Sequence, residues 1–195
     1  MIGKTFIHYL AVSAGISLAQ TQTSSDERNL LKKYLPGRKR IVEVGVYEGF
    51  TTRALADASD HDAVVYGVDP FFAGRLGISW GYLITRKYNR NCISNGKLKI
   101  VRTLSTEVGN RVPTQVDFVF IDADHSLSGI SADWQFWSQR VTSGGIIALH
   151  DTLLKPGQPD TAVLGSHKYF DSHIRHDPYF EVIATADSLA VLRRR

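Results

Sequence analysis

Cysteine is all but missing from this chain. Cys92 stands alone, which excludes an internal disulfide and any zinc site built on cysteine pairs. That usage fits a reducing compartment, so a cytoplasmic location is expected. Long apolar runs are missing too. The most apolar stretch, Phe6 to Ala19, is broken by His8, Ser13 and Ser17, is too short to span a bilayer and has no clean small-residue cleavage site. Residues 1–24 are therefore predicted to be a helical extension packed on the main domain, 25–195, or on a second copy of the chain. A homo-oligomer through this segment is the expected assembly, and no membrane partner is expected. A continuous basic face is also lacking. Lysine and arginine number 23 against 19 acids, a net +4, but the excess sits in Arg38-Lys39-Arg40 and Arg193-Arg194-Arg195. With no aromatic-proline motif for a flipped base, a nucleic-acid partner is not expected.

What is present is alternation. Ser25 is read as the cap of a helix through Leu35, which Pro36-Gly37 stops. Arg40 to Val46 is short, β-branched and apolar on both faces, as a buried parallel strand reads. Helix Gly49–Ser59, strand Ala63–Val68, helix Tyr82–Cys92, strand Leu98–Arg102, strand Val116–Ile121 and helix Gly129–Val141 follow. Gly144-Gly145 is read as opening a strand from Ile146 to His150. A helix near Leu164–Ile174 precedes strands Phe180–Ala184 and Ser188–Leu192, close enough to form an antiparallel hairpin. Strands separated by helices are βαβ units. The expected fold is α/β: a doubly wound, Rossmann-like sheet of seven strands, mostly parallel, with an antiparallel C-terminal hairpin. Trp134 and Trp137, three apart on one helix face, are expected in the core.

Ligands of such sheets bind beyond the carboxyl ends of the strands. After the first strand stands Glu43-Val44-Gly45-Val46-Tyr47-Glu48-Gly49, a glycine turn that lets backbone approach a ligand closely. After the second, Asp69 falls about 20 residues on, the separation at which an acid reaches ribose hydroxyls. A dinucleotide site wants G-x-G-x-x-G, but Tyr47 holds the middle glycine position and Glu48 would repel a pyrophosphate. A cationic sulfonium with an amino-acid tail has no such conflict, so S-adenosylmethionine is the expected cofactor.

The ordered segments VEVGVYEGFTT, VYGVDP, FVFIDADHS and GGIIALHDT, spanning Ile41 to Thr152, resemble class I S-adenosylmethionine-dependent methyltransferases. The likeness is to catechol O-methyltransferase-like and macrolide-sugar or cephalosporin-type metal-dependent enzymes. The resemblance implies that Glu43, Gly45, Tyr47 and Gly49 line the methionine end, Asp69 the ribose and Ser105 the adenine, with Asp122 bordering the same pocket. Ser105 has an alternative reading as a cap before Glu107-Val108.

Methyl transfer needs an acceptor that is positioned, desolvated and, if a hydroxyl, deprotonated. The fourth strand ends at Asp122-Ala123-Asp124-His125-Ser126 and the fifth at His150-Asp151-Thr152. Asp122 and Asp151 are hard oxygen donors suited to magnesium, and the resemblance implies a metal at the same two positions. His125 falls where related enzymes carry a base. His150 departs from the pattern, since several relatives have a carboxylate there, and Thr152 stands where the catechol enzymes have asparagine. A histidine ligand would admit manganese. Asp124 or Ser126 is read as a cap of the following helix. The loops Phe71–Trp80 and Leu153–Leu164 are expected to roof the acceptor. The leading function is metal-assisted O-methylation of a sugar, phenol or other small-molecule hydroxyl, with Asp122 and His125 catalytic. A non-catalytic cofactor-binding module and an NAD(P)-dependent oxidoreductase are the alternatives.

Overall fold

The computed structural model describes residues 2–74, 76–154 and 162–195, so Arg75 in the first predicted roof loop and residues 155–161 of the second lie outside it. Helices α1 (Ile2–Ser13) and α2 (Ser25–Lys33) precede β1 (Arg40–Val44), α3 (Phe50–Ala58), β2 (Val64–Val68), α4 (Trp80–Tyr88), α5 (Arg90–Ser94) and β3 (Leu98–Val101). Then come β4 (Val116–Ile121), α6 (Leu127–Ser138), β5 (Val141–Leu149), α7 (Gly165–Ser172), β6 (Phe180–Ala186) and β7 (Leu189–Arg194). The seven strands form one sheet in the order β3-β2-β1-β4-β5-β7-β6. The first five are mutually parallel, and β7 runs antiparallel to both β5 and β6. The fold expected from the sequence is the fold observed.

Strand alternation sends neighbouring residues to opposite faces, and here both faces are covered. Val42, Val44, Val119, Ile121, Ile147 and Leu149 join Trp134, Trp137 and Phe170 on one side. Ile41, Phe118, Phe120, Ile146 and Ala148 join Leu31, Leu35 and Leu55 on the other. Both predicted core tryptophans are buried, and Trp134 packs edge-on against Phe180. The segment before residue 25 is not detached. Val12 and Ala19 are buried with Ile84 of α4, and Phe6 and Tyr9 pack on Trp80. Among the described residues no helix is long and apolar enough to cross a membrane.

Helix α6 lies over Leu127–Ser138 where Gly129–Val141 was expected, Val141 opening β5, and three other differences have clear physical causes. The cap of α2 is Ser24, not Ser25: Ser24 Oγ accepts from Glu27 N at 3.2 Å and Glu27 Oε2 accepts from Ser24 N at 2.7 Å, a reciprocal capping box. The helix expected over Tyr82–Cys92 is divided at Asn89, whose buried Nδ2 donates to Gly49 O (3.0 Å) and Thr85 O (3.1 Å). Gly144-Gly145 lies inside β5 and does not open it. The register jumps from Val116↔Val141 to Phe118↔Ile146, so the strand bulges around Gly144, whose φ is +71°.

The capping box predicts that Ser24→Ala lowers unfolding free energy by about 1 kcal/mol, while Ser25→Ala changes it by less than about 0.5 kcal/mol. Urea denaturation of the two variants checks this. Equal costs would mean that Ser24 is not the cap.

Candidate functional site

The carboxyl ends of β1 and β4 touch. A side chain at Gly45, φ +88°, would place its Cβ 1.9 Å from the backbone oxygen of Asp122, so only glycine permits the approach. The turn that follows holds Tyr47 at φ 56° and Gly49 at φ 81°. Asp69 secures it: Oδ2 accepts from Val46 N (2.9 Å) and Tyr47 N (3.2 Å), and Oδ1 from Phe71 N (2.6 Å). The acid expected at the ribose is thus also the clamp of the glycine turn, with a lone pair left on Oδ1.

Between these strand ends lies a cavity of about 600 Å³, lined by Gly45, Tyr47, Asp69, Ser105, Asp122 and Asp133 with Val44, Val68, Leu104 and Ala132 as apolar wall. That is the size and character of a small-molecule site. A smaller recess beside it, about 30 Å³, is bounded by Glu43, Gly45, Tyr47, Thr51 and Asp122 on one side and Gln20, Thr21 and Gln22 on the other. Every residue expected to bind the cofactor borders one of the two spaces except Gly49, which caps α3 behind them. Glu43 is fully buried and accepts from Thr52 Oγ1. Burial raises its carboxyl well above the usual range, the Thr52 bond opposes this, and the charges of Asp122 and Asp69 add to it. A more open depression of about 470 Å³ on α2 and α3 shares none of these residues, and its Arg53 is engaged by Asp57.

Glu48, expected to repel a pyrophosphate, borders neither space. Its Oε2 accepts from Gln20 N at 2.6 Å and lies 2.8 Å from His8 Nε2. Tyr47 Oη donates to Gln20 Oε1 at 2.9 Å, and the hydroxyls of Thr21 and Thr23 lie 3.0 and 3.1 Å from that of Thr51. Residues 20–23 are therefore a strap laid over the glycine turn. No spacing in the sequence marks it.

At the neighbouring strand ends four side chains meet. His150 Nδ1 lies 3.0 Å from Asp122 Oδ1 and 3.5 Å from Asp151 Oδ2, while His125 Nε2 lies 3.9 Å and 3.6 Å from the same atoms. His150 is buried, and its Nδ1 makes no hydrogen bond because the nearby carboxylate is out of line. Its Nε2 faces Glu27 Oε2 at 3.2 Å. Glu27 is wholly buried and also accepts from Ser188 N (3.1 Å) and Ser188 Oγ (2.7 Å). Burial alone would raise its carboxyl, but hydrogen bonds from His150, Ser24 and Ser188 reverse this and hold it at about 2. For His150 burial opposes the charge, yet Asp122, Glu27 and Asp151 outweigh it and push the imidazole up to about 10. An imidazolium thus sits among three carboxylates.

Asp151 adopts φ 51°, in the left-handed region a non-glycine residue seldom occupies. Thr152 is not free to take the role of asparagine: its buried hydroxyl donates to Leu149 O at 3.0 Å. Ser126 caps α6 by accepting from Gly129 N, and Asp124 braces Ser126. Ser105 does not cap. It opens a 3-10 turn with no side-chain cap bond and instead donates to Asp133. Among the described residues no group of three or more His, Cys, Asp or Glu side chains frames an ion position; the four side chains contact one another.

Glu27 and Asp133 were not among the residues singled out from sequence. The Ser24-to-Glu27 spacing marks Glu27 only as a capping residue, and Asp133 reads as one polar position on an otherwise core-facing helix.

Comparison with known proteins gives a consistent family. Residues 42–152 match the family model described as a methyltransferase domain. Tricin synthase 1 of Oryza sativa subsp. japonica is 30% identical over 192 residues, covering 89% of this chain and 74% of that protein. The crystal structure of an O-methyltransferase from Bacillus cereus in complex with SAH has a TM-score of 0.69 at 18% identity, over 98% of this chain and 91% of that one. That of the O-methyltransferase TomG from Streptomyces achromogenes, involved in tomaymycin synthesis and in complex with SAM, has a TM-score of 0.64 at 15% identity, over 97% and 89%.

Asp133 is 3% exposed. Burial pushes its carboxyl up to about 6, against the opposing bond from Ser105. A pKa raised in the folded state favours folding below the unfolded value near 3.8, and this advantage is lost as pH rises through 6. Between pH 4 and 7 the unfolding free energy of the native chain should therefore fall relative to Asp133→Asn by up to about 3 kcal/mol. Parallel pH profiles for the two proteins, followed by urea denaturation, would rule this out.

Proposed function

This chain belongs to the methyltransferase-domain family, whose model matches residues 42–152, and from that premise we propose that it is an S-adenosylmethionine-dependent O-methyltransferase of small-molecule hydroxyls. The observation that carries this reading is the double position of Asp122. Its residue borders the strand-end cavity and its carboxylate also belongs to the cluster with His125, His150 and Asp151. A donor in the cavity would thus present its methyl group beside a base. That the structural neighbours are O-methyltransferases in complex with SAH and SAM supports this donor and oxygen as the acceptor atom.

In the proposed reaction the acceptor oxygen attacks the methyl carbon in line as the carbon–sulfur bond breaks, and a neutral thioether leaves. His125, part-exposed at the cluster, takes the hydroxyl proton on Nε2. Asp151, 3.6 Å away, stabilises the imidazolium so formed. The glycine turn and the strap of residues 20–23 orient the donor and keep water from its methionine end. The donor types also suit a divalent cation, although the side chains as placed contact one another: Asp122 and Asp151 would hold it, with Nδ1 of His150 as third ligand once the imidazolium gives up its proton. Carboxylates suit magnesium and the ring nitrogen admits manganese. When bound, such an ion would acidify the acceptor hydroxyl and fix its oxygen.

The test is transfer of a labelled methyl group from S-adenosylmethionine across a panel of phenols and sugars. His125→Ala should lower kcat by about 100-fold or more and leave S-adenosylhomocysteine affinity nearly unchanged. Excess EDTA should abolish transfer, and magnesium or manganese restore it. Undiminished transfer in chelator and in Asp122→Ala would remove the metal from the proposal. Donor binding without turnover on any acceptor would turn the reading into a cofactor-binding module.

A further inference from the structure

We infer that Ser166 is a positioning residue for methyl transfer: from the first turn of α7 it fixes Asp151 against the proposed base His125. This rests on the roles proposed for those two residues and deepens that reading.

The carboxylate of Asp151 is aimed without a hydrogen bond of its own. Among the described residues it faces His125 Nε2 at 3.6 Å and His150 Nδ1 at 3.5 Å, both too long to hold it. Its direction is therefore set by the backbone, which at φ 51° lies in the left-handed region. A residue other than glycine stays there only where its surroundings fix it. A return to ordinary φ would swing the β-carbon, and the carboxylate with it, off its present line.

The chain is pinned on both sides of this residue and at the residue itself. Before it, His150 N donates to Ile121 O at 3.0 Å, and after it Thr152 N donates to Ser188 O at 3.0 Å. At Asp151 the buried hydroxyl of Ser166 donates to the main-chain oxygen at 2.7 Å. The amide of the same serine donates to His125 O at 3.1 Å. One residue thus bonds the main-chain carbonyls of both members of the pair.

Helix α7 is placed for this contact. The first amides of a helix have no partner within it, and that of Ser166 is given to His125. A β-carbon at Gly165 would lie 2.1 Å from Leu127 N, so the glycine lets the helix end reach the loop that carries His125. The serine hydroxyl is not needed to dock the helix. Tyr169 and Phe170, with Ile174 just beyond, are buried in the core beside Trp134 and Leu149, and apolar burial of that extent outweighs one neutral hydrogen bond. His167 Nδ1 adds a bond to Thr152 O at 2.8 Å. What the Ser166 hydroxyl supplies is a fixed relation between two loops, and small displacements of reacting groups are costly in rate.

The experiment is methyl transfer by the full chain to an acceptor that the native protein turns over, with calorimetry of S-adenosylhomocysteine and urea denaturation alongside. Ser166→Ala keeps the amide bond to His125 and removes only the hold on Asp151. It should fold, lose about tenfold or more in kcat, and keep KM for S-adenosylmethionine and affinity for S-adenosylhomocysteine within about threefold. His167→Ala, which removes the neighbouring bond of the same turn, should keep kcat within about threefold. Because the hydroxyl acts through Asp151, Ser166→Ala should cost less than about twofold in an Asp151→Ala background. Native kcat in Ser166→Ala overturns the inference, as does an equal loss in His167→Ala or an undiminished loss in the Asp151→Ala background. A Ser166→Ala chain that does not fold overturns it too, since the hydroxyl would then serve docking. In each of these cases native turnover leaves the methyltransferase reading standing. A native chain that binds S-adenosylhomocysteine but turns over no acceptor overturns that reading and this inference together.

Discussion

The site depends on one close approach, that of Gly45 to the backbone of Asp122. A β-carbon at residue 45 would lie 1.9 Å from the Asp122 oxygen, so the ends of β1 and β4 meet only because one of them carries no side chain. The contact gives the strand-end cavity and the carboxylate–histidine cluster a common wall. The turn that follows takes left-handed conformations at Tyr47 and Gly49, and Asp69 holds it by accepting from two of its amides. Geometry that in sequence reads as two separate motifs is one packing constraint.

Charge is the second organising element. Glu27, Asp122 and Asp151 surround the His150 imidazolium, so the cluster carries more negative than positive charge, while burial keeps Glu43 protonated more readily than an exposed acid. A region of that sign attracts a sulfonium and, on the proposed reaction, holds its neutral thioether product less strongly. Glu48 does not contribute to this field at the cavity, because it is turned away and engaged by Gln20 and His8.

The fold was legible because its signals are local and repeated. Short runs such as Ile41–Val44 and Phe118–Ile121, apolar on both faces, exist only where helices cover both sides of a sheet. The residues at strand ends were legible for a related reason: once strands are placed, Asp69, Asp122, His125 and Asp151 fall at their carboxyl ends. Elements decided by tertiary contact were not. Asn89 divides a helix because its amide is needed by Gly49 O, a residue 40 positions away. Gly144-Gly145 reads as a strand start, yet it is a bulge fixed by the register against β4. Glu27 has a sequence signature only as a cap, and its bond to His150 crosses 123 residues.

That separation divides the site into two kinds of structure. The half proposed to hold the donor, Glu43 through Asp69, lies within one βαβ unit, and its turn and clamp are closed by contacts of 22 and 23 residues. The cluster half requires α2, the ends of β4 and β5, and the β6–β7 turn at Ser188 to arrive together, since Glu27 bonds both His150 and Ser188. Loop closure over such distances is entropically costly and is recovered only when the sheet is complete. Glu27 and Ser188 both lie outside the 42–152 span that the family model matches. A methyltransferase core can therefore keep its donor motif in recognisable order while the contacts that orient its histidine reside in flanking segments. Here those segments, the strap and α2 on one side and the C-terminal hairpin on the other, are built into the wall of the site.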